Sequence, residues 1–168
     1  QFASGDPPVT KNPWNLERTP GGSSSGSAVG VAARFFPAAL GSQTAGSVLR
    51  PAAYNGIVGF KPTYGLISES GVHPVAPSLD TVGWFTRCVK DSRLLLQNLM
   101  EFASNTENIN TSDETSVNND DLEDKNVRLG IINEYYPNMV DSESGKAFNS
   151  LISLLTTKDV HFEISNLD

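Results

Sequence analysis

The distribution of glycine constrains this chain more than any other feature. Twelve of its 14 glycines lie within residues 1–90, among short apolar runs at 28–33, 57–60 and 82–85. Flexible glycine- and serine-rich linkers lack such runs. Glycine in an apolar setting serves tight turns and close approaches between backbone segments. We therefore predict a packed, turn-rich structure for this half of the chain.

The hydrophobic pattern predicts alternating helices and strands. The predicted helices cover 26–36, 91–105 and 141–157, and the predicted strands cover 57–61, 127–132 and 160–164. Strand, helix and strand over 127–164 are typical of a βαβ unit, and residues 106–124 form a polar loop between the two halves. The fold class predicted is α/β, with a mixed, mostly parallel sheet flanked by helices.

Composition excludes several classes of function. The net charge is −7, and eight acidic residues with no lysine or arginine fall within 101–124, so no basic stripe is available for nucleic acid. No stretch has the roughly 18–20 apolar residues of a membrane span. His73 and His161 are far apart and belong to no ligand cluster, so neither a metal nor a cofactor is expected. The single cysteine, Cys88, is expected to be buried and fits a cytoplasmic protein.

Two glycine- and serine-rich segments carry the chemistry. Residues 21–27 and 41–47 each place hydroxyls on glycine-permitted backbone ahead of helical sequence, as nucleophilic catalysis requires. A phosphate-binding loop fails because no Lys-Ser or Lys-Thr follows the glycines. A nucleophile elbow at 22–26 is disfavoured because residues 15–20 are polar and end in proline. From spacing alone, the two segments could also be ordinary turns that cap helices and have no catalytic role.

These segments belong to a longer set of motifs that resembles the amidase signature family. The set comprises residues 12–15, 21–28, 41–52, 56–65 and 78–83 in consistent order and covers about 8–93, which we take as the signature core. The resemblance implies the amidase signature fold and treats 1–168 as a partial amidase domain. We expect the chain to be a piece of a longer protein.

The resemblance also implies a Ser–Ser–Lys triad. It assigns the nucleophile to Ser47 and the bridging serine to Ser23, which would follow a cis Gly22–Ser23 peptide bond. The oxyanion hole would be formed by main-chain N–H groups of Thr44, Ala45, Gly46 and Ser47. Neither Lys11 nor Lys61 occupies the family's lysine position, so the catalytic lysine is expected upstream of this chain, and the chain alone is expected to be inactive.

The implied function is an amidase that hydrolyses a small carboxylic amide to an acid and ammonia or an amine through a seryl acyl-enzyme. The alternative is a non-catalytic or amidotransferase-type subunit, and a homodimer of the whole protein is also expected. Gln43, Ala45 and Arg50 depart from the commoner family pattern, and the pattern also differs from the one expected of the transamidating subunit. A Gln43–Arg50 hydrogen bond is expected to brace the loop. Four further residues are expected to be core or scaffold, namely Trp14, Trp84, Tyr64 and Asp80.

Overall fold

The computed structural model describes residues 10–107, 128–132, 140–156 and 161–165. The chain divides into two compact units, Gln1–Ser112 and Asp113–Asp168. The elements in chain order are α1 (Ser25–Ala32), β1 (Ala38–Gln43), α2 (Leu49–Asn55), β2 (Val58–Phe60), β3 (Thr81–Thr86), α3 (Val89–Glu107), β4 (Arg128–Ile132), α4 (Ser142–Thr156) and β5 (His161–Ser165).

The first unit is built around a three-stranded sheet in the order β1-β3-β2. Both pairings are antiparallel, with Gln43 opposite Thr81 at one end of β1 and Val58 opposite Thr86 in β2. In the second unit, β4 and β5 pair in parallel on either side of α4 in the chain, which is the expected strand–helix–strand order. The α/β class and the mixed pairing are therefore confirmed. The preponderance of parallel pairing was wrong for the described strands, because β1 and β2 both run opposite to β3.

Strand β3 is the centre of the first unit, and all six of its residues are buried. Successive side chains point to opposite faces. Phe85 joins a core with Ala28, Val31, Val48 and Ala52 from the α1 and α2 side. On the other face, Trp84 stacks on Phe60 with ring centroids 4.9 Å apart and donates from its indole N–H to the Ser92 hydroxyl of α3 at 2.9 Å. The sheet is thus covered by helices on both faces.

Helix α1 ends four residues before the predicted position. The chain reverses at Arg34, whose φ is +64°, and the Phe35 N–H donates to the Gly30 carbonyl at 2.8 Å. The ring of Phe36 then lies against Gly30, so closely that a Cβ on Gly30 would come within 2.0 Å of it. Phe36 therefore packs back onto the helix from outside it.

Two expectations about single residues were wrong. Cys88 is exposed, because β3 ends at Thr86 and the chain has left the core before α3 begins. Trp14 is 72% exposed, and its indole N–H donates to the main-chain carbonyl of Asn55 at 2.7 Å. Trp84 is fully buried, as expected of a core residue.

Residues 108–127 lie outside the described residues, and with them most of the predicted polar loop. Helix α3 itself runs from Val89 to Glu107, so it begins two residues before the predicted start, and Asp91 lies in its first turn. Among the described residues, no helix has the length and apolar character needed to cross a membrane.

Candidate active site

Ser47 lies in the short connection between β1 and α2. The connection is braced by Gln43, which is the last residue of β1 and only 4% exposed. The side-chain oxygen of Gln43 accepts hydrogen bonds from the N–H groups of Val48 and Leu49, both at 2.9 Å. These are donors that the start of a helix leaves without intrahelical partners. Gln43 therefore fixes the entry to α2 directly after Ser47.

The expected Gln43–Arg50 hydrogen bond was wrong. The oxygen of Gln43 is directed at the main chain, whereas Arg50 is exposed and its guanidinium lies beside Gly46. The brace of this loop is thus a contact between a side chain and the backbone, made within seven residues of sequence.

The main chain of residues 44–47 has free donors. Among the described residues, none of the N–H groups of Thr44, Ala45, Gly46 and Ser47 donates a hydrogen bond to a protein atom. All four residues are at least partly exposed. An oxyanion hole needs main-chain N–H groups without a protein acceptor, so these four remain candidates for the predicted role.

Ser23 lies in a segment that packs closely on α2. The peptide bond between Gly22 and Ser23 is cis. Gly21 has a φ of +73°, and a Cβ there would come within 2.9 Å of the Pro51 Cα atom, so only glycine fits this approach. The N–H of Ser24 donates to the Ser47 carbonyl at 3.3 Å. The main chains of the two serine segments are therefore in direct contact.

The two hydroxyls themselves are not joined. Among the described residues, no hydrogen bond links the side chains of Ser23 and Ser47. Catalytic hydrogen bonds are often long without substrate and shorten when it binds. The structure therefore brings the main chains of the two segments into contact without a hydrogen bond between the two hydroxyls.

Two buried asparagines hold the Ser23 segment in place. The amide nitrogen of Asn55 donates to the carbonyls of Pro20 and Pro51, both at 2.7 Å. The amide nitrogen of Asn12 donates to the carbonyls of Tyr54 at 2.9 Å and Thr19 at 3.2 Å. Sequence reasoning missed both roles, because the acceptors are main-chain groups up to 42 residues away.

Asp80 anchors the start of the connection at 44–48, which we call the nucleophile loop because it contains the predicted nucleophile Ser47. It is 7% exposed, and its carboxylate accepts hydrogen bonds from the Thr44 hydroxyl and from the N–H groups of Val75 and Ala76, the latter two at 2.7 and 2.8 Å. The Thr44 hydrogen bond holds the pKa of Asp80 below its usual value; burial opposes this effect, and the two N–H groups reinforce it. The sequence motif at 78–83 marked Asp80 as scaffold without indicating this contact.

Among the described residues, neither Lys11 nor Lys61 is hydrogen-bonded to Ser23 or Ser47. Lys61 donates from Nζ to the Pro62 carbonyl at 2.7 Å, and Lys11 is exposed. In the described part of the chain, no three His, Cys, Asp or Glu side chains form a group that would hold a metal ion.

A family model described as Amidase matches residues 6–167, so the chain belongs to the amidase family. This match confirms the resemblance seen in the motifs.

The proteins similar to this chain include amidotransferase subunits and amidases. The A subunit of glutamyl-tRNA(Gln) amidotransferase from Carboxydothermus hydrogenoformans is 43% identical over 157 residues, covering 92% of this chain and 32% of that protein. The crystal structure of the same amidotransferase component from Thermotoga maritima has a TM-score of 0.73 and 34% identity, covering 94% of this chain and 34% of that one. A crystal structure of an amidase has a TM-score of 0.76 and 31% identity, covering 95% and 35%. The chain thus spans about a third of the length of these relatives.

Proposed function

We propose that the whole protein cleaves a carboxylic amide through an acyl-enzyme on Ser47. The single observation that carries this proposal is the contact between the Ser23 and Ser47 segments. Beside this contact, four main-chain N–H groups donate to no protein atom among the described residues. Free N–H groups oriented towards a developing oxyanion are a large source of rate enhancement in acyl transfer.

The chemistry follows from the roles that the family resemblance gives the two serines. The Ser47 oxygen attacks the amide carbonyl carbon, and its proton passes through the Ser23 hydroxyl to a neutral lysine. The C–N bond then breaks, and the nitrogen leaves with a proton returned along the same route. Water hydrolyses the ester on Ser47 and regenerates the hydroxyl. Neither Lys11 nor Lys61 is assigned the role of the base.

We further propose that the protein works as one component of an amidotransferase, in which the released ammonia is delivered to a second site. The support is the identity of 43% to the A subunit of such an enzyme over 92% of the chain. The main expectation from the sequence was an amidase that only hydrolyses its substrate. The amidotransferase relatives favour the alternative, an amidotransferase-type subunit.

A stand-alone amidase is the second candidate. The observation that favours it is the loop itself, where Gln43 braces the backbone and Arg50 stays exposed, in a pattern that departs from the one expected of the transamidating subunit. The TM-score of 0.76 to an amidase structure is consistent with this candidate.

The acyl-enzyme is tested by labelling the whole protein with a fluorophosphonate probe. We expect the probe on Ser47, loss of labelling and amide turnover in Ser47→Ala, and a large loss in Ser23→Ala because the proton route is broken. Ser70→Ala, at an exposed serine outside the loop, is the matched control and retains both activities. Turnover that survives Ser47→Ala would contradict the proposal.

Ammonia release separates the two candidates. An amidotransferase component releases ammonia slowly by itself and faster when its partner proteins and glutamyl-tRNA are added. A stand-alone amidase shows the same rate with and without them.

A further inference from the structure

Asp80 is a buried carboxylate whose hydrogen bonds join two separate segments. One oxygen accepts from the Thr44 hydroxyl, and the other accepts from the N–H groups of Val75 and Ala76. Burying a carboxylate is costly unless it is well hydrogen-bonded, and these three donors meet that need.

The strand register explains why this carboxylate reaches the nucleophile loop. Gln43 is opposite Thr81 in the antiparallel β1–β3 pair. Thr44 follows Gln43, and Asp80 precedes Thr81, so the two residues face each other one step beyond the end of the pairing. Thr44 is also the first residue of the loop that leads to Ser47.

The second contact of Asp80 reaches a wall of a cavity. A small cavity beside β1 is lined by Ser42, by Val72 to Val75, by Glu69 and by Asp80 to Val82. Asp80 accepts hydrogen bonds from the N–H groups of Val75 and Ala76. Val75 lines this cavity, and Ala76 is the next residue in the chain. Asp80, which directly precedes β3, thus joins this wall of the cavity to the nucleophile loop.

We propose that Asp80 is a positioning residue for the reaction on Ser47, acting through the Thr44 hydroxyl to fix the direction of the main-chain donors at 44–47. This inference rests on the proposed acyl-enzyme function. Donors that point at the oxyanion act chiefly in the transition state, so a loop held in the wrong direction lowers kcat and kcat/KM together.

The lowered pKa of Asp80 is consistent with this role, because it keeps the carboxylate ionised and able to accept from Thr44. A purely structural role would instead stabilise the fold without a specific effect on the chemical step.

The experiment measures amide turnover by the whole protein in a matched set of variants. Thr44→Val removes the hydroxyl at nearly constant shape, and Thr44→Ser keeps it. We expect Thr44→Val and Asp80→Asn each to lower kcat by roughly 10- to 100-fold with KM nearly unchanged, and Thr44→Ser to restore most of the activity. The double variant Thr44→Val/Asp80→Asn should be no slower than the slower single variant, because both remove the same contact.

Several outcomes would overturn the inference. Unchanged kcat in Thr44→Val, losses that multiply in the double variant, or equal losses in Thr44→Ser and Thr44→Val would each do so. If Asp80→Asn does not fold, the two Thr44 variants still decide. Ser47→Ala run in parallel keeps the two proposals apart: if it is inactive while Thr44→Val is fully active, only the positioning role fails, and if it stays active, the acyl-enzyme itself fails.

Discussion

At the scale of single residues, the geometry of the nucleophile loop depends on side chains that bind main-chain groups. Gln43 accepts from two N–H groups at the start of α2, and Asn55 donates to two carbonyls, one of them in the segment before Ser23. Such contacts fix backbone position directly. A substitution of Gln43 or Asn55 is therefore expected to shift the backbone that carries the serines, although neither side chain is hydrogen-bonded to Ser23 or Ser47 in the described part of the chain.

Gln43→Leu tests this view. The substitution leaves the N–H groups of Val48 and Leu49 without an acceptor near the protein core, and we expect a loss of about 2 to 4 kcal/mol in the free energy of unfolding. Gln43→Glu keeps an acceptor oxygen next to a helix N-terminus and should lose about 1 kcal/mol or less. Denaturant unfolding measures both.

Arg50→Ala is the control for Gln43. Because Arg50 is exposed, its removal should change the free energy of unfolding by no more than about 0.5 kcal/mol. A loss in Arg50→Ala as large as that in Gln43→Leu would revive the side-chain pair that the sequence suggested.

The part of the candidate site that lies within recognisable sequence motifs was predictable. Ser23 and Ser47 were singled out from their glycine-rich segments, and those segments do meet. The supporting contacts of Asn12, Asn55 and Asp80 were not predictable, because each joins positions 35 to 42 residues apart that only the folded chain brings together.

At the scale of elements, the apolar pattern predicted three of the described helices and three of the described strands, and it missed β1, α2 and β3. β1 reads Ala-Ala-Leu-Gly-Ser-Gln and has little intrinsic strand preference. Its pairing with the fully buried β3 makes it a strand. The sequence pattern was sufficient where apolar residues recur at a fixed spacing, and insufficient where pairing with a neighbouring strand decides.

Gly83→Ala tests how tightly the sheet is built. A Cβ at position 83 would come within 2.5 Å of the Phe60 carbonyl oxygen, a backbone atom in the paired strand β2. We expect a loss of roughly 1 to 3 kcal/mol in the free energy of unfolding, because β2 must shift away from β3. Thermal or denaturant unfolding gives the value.

Gly26→Ala is the matched comparison. Gly26 lies in α1, and a Cβ there meets no atom within 4 Å. Alanine should be neutral or stabilise the protein by about 0.5 kcal/mol. Equal destabilisation by both alanines would mean that the loss in Gly83→Ala does not arise from the clash with β2.

At the scale of the whole molecule, each of the two units contains an aspartate that hydrogen bonds keep ionised. Asp80 lies in the first unit. Asp141, in the second, accepts from the N–H groups of Glu143 and Ser144 and from the Ser144 hydroxyl at the start of α4. The Ser144 N–H and then its hydroxyl hold the pKa of Asp141 below its usual value; burial opposes this effect, and the Glu143 N–H also contributes.

These shifts predict acid sensitivity with a definite sign. Because the folded pKa of each aspartate is below its unfolded value, its contribution to stability is present above about pH 4 and is lost as the pH falls through the folded pKa. We expect the free energy of unfolding to fall as the pH drops below about 4. Asp80→Asn and Asp141→Asn should each flatten that fall, measured by denaturant unfolding over a pH series.

Glu17→Gln, at an exposed carboxylate, controls for the change in net charge. If it flattens the acid profile as much as Asp80→Asn does, general charge rather than the specific hydrogen bonds explains the effect.

The hydrogen bond between Thr44 and Asp80 has a consequence for loop grafting and for sequence change in evolution. The reactive loop and its anchor are encoded 36 codons apart, so a graft of residues 41–50 into a foreign scaffold would arrive without its support. Evolution meets the same obstacle: a change at one of the two positions is tolerated best when the other changes with it. Chimeras between family members should therefore take both positions from the same parent.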